Sequence, residues 1–157
     1  MFNYYWVTLD SYASNYHVEE GVTLLGKDGN WTNNFPDQHH RNGIAKRART
    51  KHRFKKNVRI FKRLRNELDD ASKRVPSFFI ECLTYAVEDE HFLVETDDRY
   101  ERALRLLSRM DELLHDADWV RSATEINEIK YLFHPAQPWT IDDAKAFVRA
   151  VQLRMKA

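Results

Sequence analysis

Cysteine is nearly absent: Cys82 stands alone in 157 residues, so no disulfide can form within the chain. It sits in the apolar run Phe78-Phe79-Ile80-Glu81-Cys82-Leu83, which reads as a buried thiol in a reducing cytosol. Glycine and proline are scarce, four of each, and 43% of the residues are hydrophobic, which excludes a disordered or low-complexity chain. No apolar run approaches the roughly 18 residues that a membrane-spanning helix needs. The start Met1-Phe2-Asn3-Tyr4-Tyr5-Trp6 lacks the basic-then-apolar layout of a signal peptide, so the expected location is the cytoplasm, with no membrane partner. There is no Gly-rich phosphate loop followed by Lys and Ser or Thr, and no Gly-x-Ser-x-Gly elbow, which sets aside ATPases and hydrolases of those types.

One absence is local. Residues 41 to 65 contain no Asp or Glu, yet hold twelve of the twenty-five Lys and Arg, so a formal net charge of +1 conceals a basic block in an otherwise acidic chain. Such a block can focus a potential on a bound polyanion, either a triphosphate or a nucleic acid. The competing reading is a solvated basic face.

What is present fits one domain, 1–157, of mainly α class: a bundle of about five helices preceded by a short β-hairpin over 1–30. The aromatic and β-branched residues up to Leu9 and from His17 to Leu25 predict two strands, closed by Gly26-Lys27-Asp28-Gly29-Asn30. Two strands alone are marginal in water, so the hairpin looks like the end of a larger sheet. Asn30-Trp31-Thr32 reads as a turn. Pro36 and Asp37 suit the first turn of a helix over 36–50. Phe54, Val58, Phe61, Leu64 and Leu68 make the apolar stripe of the next helix, leaving Lys55, Arg59, Lys62 and Arg63 on one side of it. Val75-Pro76 opens a central apolar helix to about Val87, after a polar connection over 69–74. Thr96 is expected to cap a helix with the stripe Tyr100, Leu104, Leu107, Met110 and Leu114, and Thr140 with Asp143 to start the last one. Ile126 to Trp139 reads as irregular.

Metal and catalytic sets do not emerge. Asp116-Ala117-Asp118 spells a paired carboxylate but lies at a helix end, where solvated acids are common, and adjacent His39 and His40 point apart on a helix. The expected metal and catalytic sets in this chain are therefore empty.

At Val58-Arg59-Ile60-Phe61-Lys62-Arg63-Leu64-Arg65-Asn66, followed by Val75-Pro76-Ser77-Phe78-Phe79-Ile80-Glu81-Cys82-Leu83, the sequence resembles the bacterial cGAS/DncV-like nucleotidyltransferases. Asn34-Phe35-Pro36-Asp37-Gln38-His39 with Asn42-Gly43, and Ile129-Lys130-Tyr131-Leu132-Phe133-His134-Pro135, resemble further segments of that family's C-terminal part, in the same order. The resemblance implies enzymes that make cyclic oligonucleotides in antiphage defence, in which a Gly-Ser turn and sheet-borne acids hold two metal ions. Those parts precede the matched segments, and this sequence has no Gly-Ser dipeptide and no acid in its first nine residues. The chain is thus expected to be the C-terminal helical half, with 1–30 a remnant of the nucleotidyltransferase core, inactive alone and without a cofactor of its own. A complete enzyme would use Mg²⁺ and nucleoside triphosphates, with an N-terminal catalytic half on another chain as a candidate partner. By the same resemblance Lys62 would contact the triphosphate, Ser77 would hydrogen-bond a phosphate and Phe78 would stack on a base, with Arg59 grouped beside them. Lys55, Lys56 and Arg63 complete the basic surface. The alternative is a non-catalytic module that uses 41–65 to bind nucleic acid or an acidic protein.

Overall fold

The computed structural model describes residues 1–9, 16–69, 74–95 and 98–157. Strand β1 (Phe2–Leu9) pairs antiparallel with β2 (Tyr16–Leu25), as the sequence predicts. A third strand, β3 (Trp31–Asn34), then adds to the far edge of β2, where the sequence suggested only a turn. The turn is tighter than expected. Gly26 N–H donates to the Asn30 carbonyl at 2.8 Å and Gly29 takes a φ of 80°, so the chain has reversed by Asn30 and Trp31 re-enters the sheet.

Among the described residues seven helices follow: α1 (Pro36–Arg49), α2 (Arg53–Asn66), α3 (Ser77–Ala86), α4 (Asp89–Phe92), α5 (Arg99–His115), α6 (Ala117–Ser122) and α7 (Ile141–Lys156). The five long ones are those read from periodicity; α4 and α6 are single turns too short to carry a period. Thr96 and Asp97 lie outside the described residues, as do 70–73 of the predicted polar connection. The cap of α5 is Asp98, whose carboxylate accepts from the N–H groups of Tyr100 and Glu101. Leu107, Met110 and Leu114 of the expected stripe face inward, joined by Ala103, Leu106 and Leu113, whereas Tyr100, placed in the stripe by its spacing, is exposed and donates its hydroxyl to the Met155 carbonyl. Thr140 and Asp143 form a reciprocal capping box at α7. Asp116 caps α6 by accepting from Asp118 and Trp119 N–H groups, and Asp118 pairs with Arg121, so the paired acids serve a helix start.

The core is built on Phe54, Phe61, Phe79, Phe92 and Phe147, all fully buried, with α3 at its centre. Two features fix the sheet to this body. Gly21 lies against α1's entry, where a Cβ would stand 2.6 Å from the Asn34 carbonyl oxygen and 2.8 Å from the Phe35 ring, so only glycine fits. Lys130, from the irregular 126–139 segment, donates to the Asn33 carbonyl at 2.9 Å.

Candidate nucleotide site

Much of the basic block is engaged in holding the fold. Lys46 is buried and reaches Asp89 at 2.7 Å and the Val87 carbonyl at 2.5 Å, tying α1 to the end of α3. Arg49 joins it on Asp89 at 2.6 Å. Arg53 donates to the carbonyls of Phe92 and Val94, and Arg65 to that of Val75. These partners are far away in sequence, which is why the block looked freer than it is. The side chains of Lys51, Lys56 and Arg59 are exposed and make no hydrogen bond or ion pair among the described residues; Arg63 is exposed, 3.6 Å from Glu67.

Lys55 and Lys62 do something else. They stand seven residues apart, nearly in line on α2, and both turn toward α3, where they meet the carboxylate of Glu81. Lys55 takes one oxygen, and Lys62 donates to the other at 2.9 Å. His39 of α1 approaches the first oxygen at 3.8 Å, outside hydrogen-bond range, so it contributes as a charge when protonated. His39, Lys55 and Lys62 together hold the Glu81 carboxyl well below the usual carboxylate range, outweighing the burial that opposes it. Gly43 of α1 lies beside this cluster, and a Cβ there would stand 3.8 Å from the Lys55 ammonium, an ordinary contact.

Ser77 and Phe78 share this face of α3, because positions 77, 78 and 81 lie within one turn. Ser77 opens the helix behind Pro76, no side chain caps it, and the first-turn N–H groups are therefore available. The Phe78 ring is 39% exposed and lies nearly parallel to His39, centroids 5.4 Å apart, with Trp139 6.2 Å from it. The structure thus gathers Lys55, Lys62 and His39 on Glu81, with the Phe78 ring on His39 and Ser77 four residues before Glu81 on the same helix. Arg59 lies one turn from both lysines on the same face of α2, while Lys56 and Arg63 sit further round. The cluster can offer two ammonium groups, a hydroxyl, free backbone donors and an aromatic face, which is the chemistry of a phosphate-bearing base. It does not fit a divalent ion: both Glu81 oxygens are taken by lysines, and among the described residues no three His, Cys, Asp or Glu side chains converge.

Apart from this cluster, a cleft of about 830 Å³ lies between β3 and the 126–139 segment, beside Phe35. Tyr4, Trp31, Phe35 and Tyr131 give it aromatic walls, and Asn33, Lys130 and Gln137 give it polar groups. Its volume suits a nucleotide-sized ligand. Nothing in the sequence marked it, since its walls come from three distant segments.

Residues 41–156 match the model of the cGAS/DncV-like nucleotidyltransferase C-terminal helical domain. The chain belongs to that family. It is 37% identical over 133 residues to the cyclic dipyrimidine nucleotide synthase CdnE of Legionella pneumophila, covering 82% of this chain and 43% of that protein. It is 33% identical to the cyclic dipurine nucleotide synthase of Elizabethkingia meningoseptica, over 83% of this chain and 44% of that one. The solved structure of Elizabethkingia meningoseptica CdnE cyclic dinucleotide synthase with GTP and Apcpp superposes with a TM-score of 0.73 at 26% identity, covering 99% of this chain and 56% of that chain. This member of the family therefore spans less than half the length of the curated relatives it matches. Those relatives differ in their products, one joining pyrimidine and the other purine nucleotides.

Proposed function

We propose that this chain is the C-terminal helical domain of a cyclic-nucleotide synthase of the antiphage-defence type, and that it supplies triphosphate and base contacts. One observation carries the reading: Lys55 and Lys62 reach across from α2 to Glu81 on α3, the helix whose uncapped first turn carries Ser77 and the partly exposed Phe78. Two flexible cations facing a helix N-terminus suit a polyphosphate, and an aromatic face accepts any base. Attack of a ribose hydroxyl on an α-phosphate needs the displacement's oxygens stabilised, work done by two metals in enzymes of this chemistry. In this reading the acids that hold those metals belong to the catalytic half, and the chain alone binds and positions.

The test is an equilibrium titration of the purified chain with fluorescent ATP and GTP, beside Lys62→Ala and Ser77→Ala. Hydrogen bonds to a charged group are worth about 1.5–3 kcal/mol, so Lys62→Ala should weaken ATP binding roughly 10- to 100-fold. Undiminished binding in both variants would overturn the assignment.

A second reading rests on a separate observation, the exposed and unpaired Lys51, Lys56 and Arg59, which suit nucleic acid or an acidic protein. Binding through several phosphates would fall log-linearly with salt and ignore base identity. A nucleotide pocket would discriminate both base and phosphate number.

A further inference from the structure

We infer that Glu81 is a positioning residue of the nucleotide site, a submerged anion that fixes Lys55 and Lys62 so that their remaining N–H groups face an incoming polyphosphate. The inference rests on the nucleotide-binding reading and deepens it. Burial decides between two roles for this carboxylate. A competitor standing where a phosphate binds would lie outermost. Instead the Glu81 side chain is 14% exposed, below Lys55 at 35% and Lys62 at 30%. The carboxylate is therefore the more buried partner in both pairs.

The bonding pattern agrees. Each Glu81 oxygen takes one lysine, from positions 26 and 19 residues away, so neither ammonium must share. An ammonium has three N–H donors, and one used on Glu81 leaves two for phosphate oxygens. Long lysine side chains lose rotamer freedom when a ligand orders them, and a carboxylate that has already ordered them removes that loss from binding. Ser77 lies one turn before Glu81, at the uncapped end of α3, where free N–H groups would take phosphate oxygens. His39 completes the arrangement by lying on Phe78 while approaching Glu81, which ties the aromatic platform to the same anion.

The experiment compares ATP, ADP and AMP binding in the wild type, Glu81→Gln, Lys55→Ala/Lys62→Ala and the triple variant. Glutamine keeps the shape and removes the charge. Affinity should rise with phosphate number in the wild type, and the ATP-over-AMP preference should drop at least tenfold in Glu81→Gln while AMP affinity holds. In the double-lysine background Glu81→Gln should add nothing, because Glu81 acts through those lysines. Tighter ATP binding in Glu81→Gln would make Glu81 a competitor, and an unchanged preference would deny it a role; either overturns the inference. Lysine acylation read by mass spectrometry separates this failure from failure of the nucleotide reading itself. Lys55 and Lys62 should be protected relative to Lys51 and Lys56, and exposed by Glu81→Gln. Protection without any wild-type nucleotide binding would sink the proposed function and reduce Glu81 to a structural clamp. Equal labelling with nucleotide bound normally would sink the clamp alone.

Discussion

Replacing Lys46 by methionine separates the basic residues that build the fold from those free to bind. The Lys46 side chain is 5% exposed, and its ammonium serves Asp89 at 2.7 Å and the Val87 carbonyl at 2.5 Å while standing 5.2 Å from the centroid of the Phe92 ring. Breaking a buried ion pair from one side costs about 3–5 kcal/mol. That figure must be lowered here, because Asp89 is 31% exposed and keeps Arg49 at 2.6 Å. The Val87 carbonyl left without its donor costs about 1–3 kcal/mol, and methionine refills the space of the lysine stem. A net loss of about 2–3 kcal/mol follows. For a chain of this size that lowers Tm by about 4–12 °C. Urea denaturation followed by circular dichroism reads the change, and fluorescent ATP binding of the folded variant should stay within twofold. Arg59→Ala should do the opposite, with stability within about 0.5 kcal/mol of wild type. A loss below about 0.5 kcal/mol for Lys46→Met would refute the idea that this cation is structural.

Further outcomes follow from the same geometry. Because the Glu81 carboxyl is held far below its ordinary value of 4.5, it stabilises the fold above that pH, and the contribution is lost as pH falls through the folded value; the acid limb of stability should flatten in Glu81→Gln, and unfolding midpoints at pH 7, 4 and 3 would show it. Glu88, held by Arg109 down to about 2, acts in the same direction, so Arg109→Ala should also flatten the limb. Gly21→Ala should cost about 1–3 kcal/mol in a thermal melt, since its methyl group overlaps the Asn34 carbonyl and the Phe35 ring. Asp98→Ala and Thr140→Ala should each cost about 1 kcal/mol, and their double variant should be additive, since these caps start two different helices, α5 and α7.

The second and fifth helices and the hairpin were legible because each repeats a period over several turns or residues: Phe54, Val58 and Phe61 face inward as their spacing predicts, and so do Leu107, Met110 and Leu114. Strand β3 was not, because four residues after a turn carry too little pattern. The α5 stripe was misread at its start, where the Tyr100 ring lies on the surface, while Leu107, Met110 and Leu114 are buried as predicted. At the site, Lys62, Ser77 and Phe78 were named from resemblance, and spacing alone put Lys55 with Lys62. Glu81 and His39 were missed. Glu81 had a visible signal, a lone acid inside an apolar helix four residues after Ser77, where only a charge partner justifies burial. His39 had none, because its neighbours at Phe78 and Glu81 are brought to it only by the packing of α1 on α3.

The contact between Phe78 and Trp139 makes the site visible to light. Trp139 is 6% exposed and gives its indole N–H to the Leu132 carbonyl at 2.9 Å, so its emission is that of a fixed, dry chromophore. Trp31 is 56% exposed and answers to solvent quenchers. A base settling on Phe78 would come within a ring's width of the indole, and its occupancy would register as a change in the acrylamide-resistant fraction of the fluorescence, without any label on the nucleotide.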